Sequence, residues 1–448
     1  PSVTPSFLRW QQLLQPGMVR LVYGIFRDLY IVLLVIYLIE LFSGSDFLHD
    51  VTRKGVVTAT VCFVIVKVVQ PFFENSTESA RRMPRRQKRT EGGKCSFIDW
   101  AASEMQGWRP AMEDATCIVP SLKQPLANQA LFAVFDGHGG SQVSNIASKK
   151  FAEVVEASAV HIHQQAQAAS SEGSESTSAN GVAGNGKDQN STTEEGVNLV
   201  QAHSAEQTLR LAMLTMDSLL RKGGKGFGNK AVPGRPGSGP LEIAREMEAP
   251  EKRSPFNLVG STAIIAMVDF GADSPQVGRP HRLTVANCGD SRAVLCRAGV
   301  AIALSEDHKP ELQREESRIR KAGGHVALIG PCHRIDGWGL NLSRALGDFH
   351  YKARADLPAE EQKVIAVPEL KTLELTEEDE FLVLGCDGVF ELNTSQMVVD
   401  IVRKRLAEGN SVEKATEYLL DQSCSDNLAR TRGKGGDNCS AIIVRLKR

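Results

Sequence analysis

From Cys95 onward the apolar positions come in short β-rich bursts, at residues 131–136 (LFAVFD), 261–269 (STAIIAMVD), 282–288 (RLTVANC), 291–297 (SRAVLCR), 381–386 (FLVLGC) and 439–446 (CSAIIVRL). Each has the length of a strand, and several run into an acidic residue at or just past their end. Between and after them the spacing changes to three or four residues, over about 141–157, 204–222, 311–322, 395–408 and 412–422, which predicts helices. Pro310 and Gly323-Gly324 punctuate the third of these. Because the strands arrive in clusters instead of alternating strictly with helices, the pattern predicts antiparallel sheets covered by helices, an α+β fold.

The pattern before Cys95 is different. Two long apolar stretches, 21–42 and 55–73, approach the length of a bilayer span, about 20 residues. Arg27, Asp28 and Glu40 interrupt the first, and Lys67 lies near the end of the second, positions from which a long side chain reaches the surface. The competing reading is a pair of buried or interfacial helices. Membrane insertion is favoured by the run 81–89 (RRMPRRQKR), six basic residues just past the second stretch, where the cytoplasmic flank of a span collects positive charge. The same run would also serve as a nuclear localisation signal or a solvated linker. The expected organisation is therefore a membrane-anchor region, 1–94, and a globular domain, 95–448, facing the cytoplasm. Within that domain, 164–198 holds only two large apolar residues, Val182 and Val197, and should lack fixed structure. Residues 223–255, with seven Gly and five Pro, read as a flexible linker.

Composition sharpens this division. The 448 residues carry 52 Lys and Arg against 53 Asp and Glu, so no chain-wide basic excess points to nucleic acid. The near-balance conceals +6 over residues 1–94 and −7 over 95–448. Nine cysteines without a CxxC pair indicate free thiols in a reducing compartment.

The chemistry is concentrated in acidic residues at turns and strand ends: Glu113-Asp114 in WRPAMEDA, Asp136 in VFDGHGG, Asp290 in NCGDSR, Asp387 in GCDGVFE and Asp437 in GGDNCS. Any one of them alone is more simply a turn residue. Asp136 and Asp387, however, each end an apolar strand before a glycine, which should bring their carboxylates out together at one edge of a buried sheet. Carboxylates gathered there repel one another unless a hard cation neutralises them. Mg²⁺ or Mn²⁺ suits an all-oxygen donor set, and no Cys/His cluster is present for zinc. Arg109, four residues before Glu113, can bind a phosphate through two nitrogens. His138, two residues after Asp136, is placed to donate a proton.

The runs MQGWRPAMEDA (105–115), VFDGHGG (134–140), GSTA (260–263), ANCGDSRAVL (286–295), EDHKP (306–310), IRKAGGHV (319–326), LSRALGDF (342–349), CDGVFE (386–391) and GGDNCSAI (435–442) together resemble the metal-dependent protein serine/threonine phosphatases of the 2C family. The resemblance spans about 95–448 without the two inserts. It implies an αββα sandwich, two antiparallel sheets flanked by helices, with a binuclear Mg²⁺ or Mn²⁺ site at one end. By the same resemblance Asp136 bridges the two ions, Glu113 and the Gly137 carbonyl bind on one side, and Asp387 and Asp437 on the other. Asp114 orients water, while Asp290 and Glu391 hold a weaker third ion. Glu391 stands where the family usually has Asp, which puts that third ion in question. The implied reaction is hydrolysis of phosphoserine and phosphothreonine on proteins by water activated between the metals, without a covalent enzyme intermediate, by a chain that acts as a monomer. The alternative is a catalytically silent membrane-tethered scaffold or phosphoprotein-binding module.

Three other signals are set aside. Cys424 to Arg430 has the Cys-x5-Arg spacing of tyrosine phosphatases but no glycine and no preceding histidine. Gly181 to Lys187 resembles a phosphate-binding loop but is followed by Asp188 and preceded by no strand. His161 and His163 read as a solvated helix end.

Overall fold

The computed structural model describes residues 83–95, 97–175, 194–223, 254–271, 281–337 and 339–447. Two antiparallel sheets carry the architecture. The first has the order β1-β2-β16-β15-β9-β10, built from β1 (Arg85–Lys94), β2 (Ile98–Gly107), β9 (Arg292–Arg297), β10 (Val300–Ala303), β15 (Asp379–Gly385) and β16 (Cys439–Leu446). The second has the order β14-β8-β7-β4-β3, from β3 (Ala115–Val119), β4 (Gln129–Phe135), β7 (Ala263–Asp269), β8 (Arg282–Cys288) and β14 (Glu369–Glu374). Short strands β5 (Gly137–His138), β6 (Gly260–Ser261) and β13 (Leu346–Gly347) form a small sheet beside the second, and β11 (Val326–Ile329) with β12 (Cys332–Ile335) forms a separate hairpin.

The helices are α1 (Gln142–Glu175), α2 (Glu194–Arg221), α3 (Gln313–Lys321), α4 (Asp387–Phe390), α5 (Ser395–Ala407), α6 (Val412–Ser423) and α7 (Leu428–Thr431). Strand β4 shows why the layers stack as they do. From Ala130 on its odd and even residues are all buried, Ala130, Phe132 and Val134 in the core shared with the first sheet, Leu131, Ala133 and Phe135 in the core that includes α1 and α2. A strand covered on both faces reads as a continuous apolar run, as LFAVF does. On the far side, α5 and α6 bury Val398, Val402, Leu419 and Leu420 against the first sheet. The layers run helix, sheet, sheet, helix, the expected α+β sandwich.

The basic run changes meaning. Residues 85–94, read from sequence as a juxtamembrane flank and the end of an anchor region, form β1, paired antiparallel with β2 from Arg85↔Gly107 to Lys94↔Asp99. The compact unit therefore begins at Met83, not Cys95. The physical reason is period two. Arg86 and Lys88 lie on one face and reach α6 and the loop after it, with Arg86 on Asp426 at 2.6 Å and Lys88 on Asp421 at 2.7 Å. Alternate residues of the strand stay more exposed, and such charge blunts a sheet edge. The inference of a cytoplasmic flank, which rested on this run, loses its footing. Stretches 21–42 and 55–73 lie outside the described residues, among which no helix is long and apolar enough to cross a membrane.

The insert also differs from expectation. Helix α1 continues to Glu175 and α2 begins at Glu194, so 164–175 and 194–198 are helical where disorder was expected. Gln, Ala and Glu are good helix formers, and extending an existing helix needs no new nucleus. Most of 223–255 lies outside the described residues.

A truncation distinguishes the two domain boundaries. A chain starting at residue 83 should unfold cooperatively, whereas one starting at 95, lacking β1 and its ion pairs to α6, should melt at least about 5 °C lower by differential scanning calorimetry. Equal melting temperatures would show that β1 contributes nothing.

Candidate metal centre and active site

Antiparallel pairing brings the acidic residues to one end of the sandwich. In the second sheet β4 ends at Phe135 opposite Ala115, the first residue of β3, so Asp136 and Asp114 leave the same sheet end side by side. The start of β7 pairs there with the end of β8, Ala263↔Cys288, which puts Asp290 in the following turn. In the first sheet β15 ends at Gly385 opposite Ala441 of β16 and Arg292 of β9. Asp387 opens α4 and Asp437 lies two residues before β16. The two carboxylates expected at one sheet edge thus come from two sheets, meeting at a shared end.

Carboxyl oxygens of Asp114 and Asp136 and the Cys386 sulfur lie within 4.8 Å of one another. Burial and the charges of Asp114, Asp387, Asp290 and Asp437 push Asp136 well above the usual carboxylate range. Burial and the charges of Asp290, Asp437 and Glu391 do the same to Asp387. Asp114, held in burial beside Asp437, is pushed up to about 7, and its Oδ2 has no partner among the described residues. An orphaned buried oxygen inside a mutually repelling carboxylate cluster is the chemistry a divalent cation resolves. The donors are oxygens except for Cys386, whose thiol is driven well up by burial and the nearby carboxylates, so the set fits Mg²⁺ or Mn²⁺ better than a soft metal.

Around this cluster each expected residue has a definite place. Glu113 is fixed through its main chain, N–H to Asn438 Oδ1 at 2.9 Å and carbonyl to the Ser144 hydroxyl. Gly137 lies in β5, against the Glu113 carbonyl. Arg109, more than half exposed, donates to Asp437 Oδ2 at 2.5 Å. His138 Nε2 lies 2.6 Å from Asp348 Oδ2. Burial works against the imidazolium, but the Asp348 carboxylate beside it outweighs that and holds the His138 pKa above its ordinary value. Asp290 accepts from Lys309 Nζ at 2.5 Å. Glu391 accepts the Gly435 N–H at 2.7 Å, on the loop that leads to Asp437.

Sequence reasoning missed Asn438, whose Nδ2 also holds the carbonyls of Gln106 and Ala111, and Asp348. Both sat inside quoted motifs, GGDNCSAI and LSRALGDF, as neighbours of more conspicuous residues. The rejected signals that fall among the described residues take no part in the centre. Cys424 caps the end of α6 as a buried thiol pushed up by desolvation, the opposite of a nucleophile. His163 bonds Gln167 on the outer stretch of α1, and residues 181–187 lie outside the described residues.

A family model described as Protein phosphatase 2C matches residues 98–213 and 241–430. The chain belongs to the protein phosphatase 2C family. It is 34% identical over 369 residues to "Probable protein phosphatase 2C 3" of Paramecium tetraurelia, covering 82% of this chain and 98% of that one. It is 33% identical over 384 residues to "Probable protein phosphatase 2C 60" of Arabidopsis thaliana, covering 81% and 90%. Among solved structures it resembles a serine-threonine phosphatase 2C from Toxoplasma gondii, with a TM-score of 0.54 at 19% identity, over 80% of this chain and 99% of that one. A second Toxoplasma gondii phosphatase gives 0.53 at 25% identity, over 80% and 96%. The reaction of a 2C phosphatase is metal-dependent dephosphorylation of proteins, so the silent-scaffold alternative is not favoured.

Proposed function

We propose that this 2C phosphatase hydrolyses phosphoserine and phosphothreonine monoesters on proteins at the carboxylate end of the sandwich. The observation that carries the reading is the convergence of Asp114, Asp136, Asp290, Asp387 and Asp437 at one end, with Arg109 and His138 at its rim. Glu113, Asp136, the Gly137 carbonyl, Asp387 and Asp437 are the residues to hold two divalent ions, Mg²⁺ or Mn²⁺. Bound there, the ions supply Lewis-acid polarisation of the phosphoryl group and a water that loses its proton near neutral pH.

The chain's own residues do the rest. Arg109 is exposed enough to take phosphoryl oxygens through its free nitrogens, while Asp437 keeps its guanidinium at the mouth. His138 protonates the serine or threonine oxygen as it leaves. Glu391, committed to the Gly435 N–H, braces the loop that carries Asp437, and Asp290 is neutralised by Lys309. A third ion would have to displace both contacts.

The direct test uses p-nitrophenyl phosphate and a phosphothreonine peptide with Mn²⁺ present or removed by EDTA. Turnover should appear with Mn²⁺ and fall at least about 10³-fold in EDTA, recovering on re-addition of metal. Full activity in EDTA would end the metal-dependent reading.

A further inference from the structure

Asp348 is a buried carboxylate beside His138 to which the sequence motifs give no role. Its side chain is 1% exposed and its backbone sits at φ 52°, the left-handed region that a residue with a Cβ rarely adopts. One oxygen meets His138 Nε2, and the other has no partner among the described residues. A buried charge in a strained backbone has to be held there from several sides, and the neighbouring contacts do this. The Asp348 N–H donates to the Val259 carbonyl at 3.0 Å. On α2, Asp217 accepts both the Gly347 N–H at 2.8 Å and Lys352 Nζ at 2.7 Å, and Lys352 Nζ also donates to the Ala345 carbonyl at 2.8 Å. The chain on both sides of Asp348 is thereby tied to one buried ion pair. Gly260 completes the cradle, since a Cβ there would collide with Asp348 Oδ2 and His138 Nε2 together.

We propose that Asp348 is the positioning residue for His138, with the Asp217 and Lys352 pair as its frame. This rests on the reading of His138 as proton donor. With Nε2 committed to Asp348, delivery falls to Nδ1. The bond from phosphorus to the serine oxygen breaks as water's oxygen bonds to phosphorus. The departing oxygen takes the Nδ1 proton, and the ring is left neutral with its Nε2–H still on Asp348. A carboxylate behind an imidazole both selects the tautomer and stabilises the charged ring, the arrangement by which a third group orients a catalytic histidine in hydrolases.

The test turns on leaving-group basicity, because an alkoxide needs the proton and p-nitrophenolate does not. In the full chain loaded with Mn²⁺, Asp348→Asn should lower kcat on a phosphoserine peptide by about 10²-fold while changing p-nitrophenyl phosphate turnover less than about threefold, with KM unmoved. His138→Gln should show the same split, and the double variant should lose no more than either single one. Equal losses on both substrates, or additive losses in the double variant, overturn the positioning role. A split in His138→Gln without one in Asp348→Asn overturns it alone, whereas no split in His138→Gln defeats the proton-donor reading beneath it. If Asp348→Asn does not fold, Gly260→Ala carries the test: it displaces the pair from a third element, and it must reproduce the split for the role to stand.

Discussion

Asp136→Asn should abolish turnover, by at least about 10³-fold on any substrate, and at the same time leave the metal-free protein as stable as wild type or more so. The two halves follow from one geometry. Asp136 stands where the start of β3 and the end of β4 come together, and the charges of Asp114, Asp387, Asp290 and Asp437 all act on it. Asn keeps the shape and removes one charge from that cluster, so it relieves repulsion in the empty site. It also removes the carboxylate that the other ligands surround. Wild type should gain stability with Mn²⁺ as RT ln(1 + [Mn²⁺]/Kd), about 2.7 kcal/mol at a hundredfold excess over Kd. The variant should gain almost none. Thermal unfolding with and without Mn²⁺ reads both effects, and a variant that is stabilised by Mn²⁺ as strongly as wild type would remove Asp136 from the centre. Asp387→Asn should behave alike, since the charges of Asp290 and Asp437 act on it as well.

Why these residues were legible in the sequence, and others were not, has a physical basis. Asp136 and Asp387 follow strands buried on both faces, whose continuous apolar runs stop abruptly at the acid; burial contrast made them visible. Asp348 follows no such run. Its role comes from a left-handed backbone held by Asp217, which is 131 residues away in the chain and lies on a helix whose periodicity only announced an apolar face. The misreading of 85–94 has a similar origin. A polar edge strand buries little, so RRQKRTEGGK shows charge and no apolar alternation, and its pairing depends on β2 and on acids of α6 far along the chain. Interior strands reveal themselves by hydrophobicity, while edge strands and buried ionic frames are set by tertiary partners that local pattern does not contain.

The largest stability effect is expected at Glu315, which the sequence placed merely inside a predicted helix. In the structure it is fully buried on α3, its carboxylate accepting from Arg344 Nη2 at 2.6 Å, Arg318 Nη1 at 2.5 Å and the Ser343 hydroxyl at 2.8 Å. Burial alone would raise its pKa, but the Arg344 hydrogen bonds and the charges of Arg318 and Arg344 prevail and hold it at about 2. Glu315→Gln would leave two largely buried guanidinium groups facing a neutral amide, a broken buried ion network of the kind that costs about 3–5 kcal/mol. Because the folded pKa is depressed below the unfolded one, the contribution of this carboxylate is complete above about pH 4.5 and disappears as pH falls toward 2. The penalty of Glu315→Gln, measured by urea unfolding, should therefore be full at pH 7 and shrink progressively below pH 4.5, and a penalty under about 1 kcal/mol at pH 7 would show that the network is neutral in balance. The same contacts tie α3 to Ser343 and Arg344, four to five residues before Asp348. Loosening them should accordingly weaken turnover of the phosphoserine peptide more than of p-nitrophenyl phosphate, reaching His138 through the chain segment that positions it.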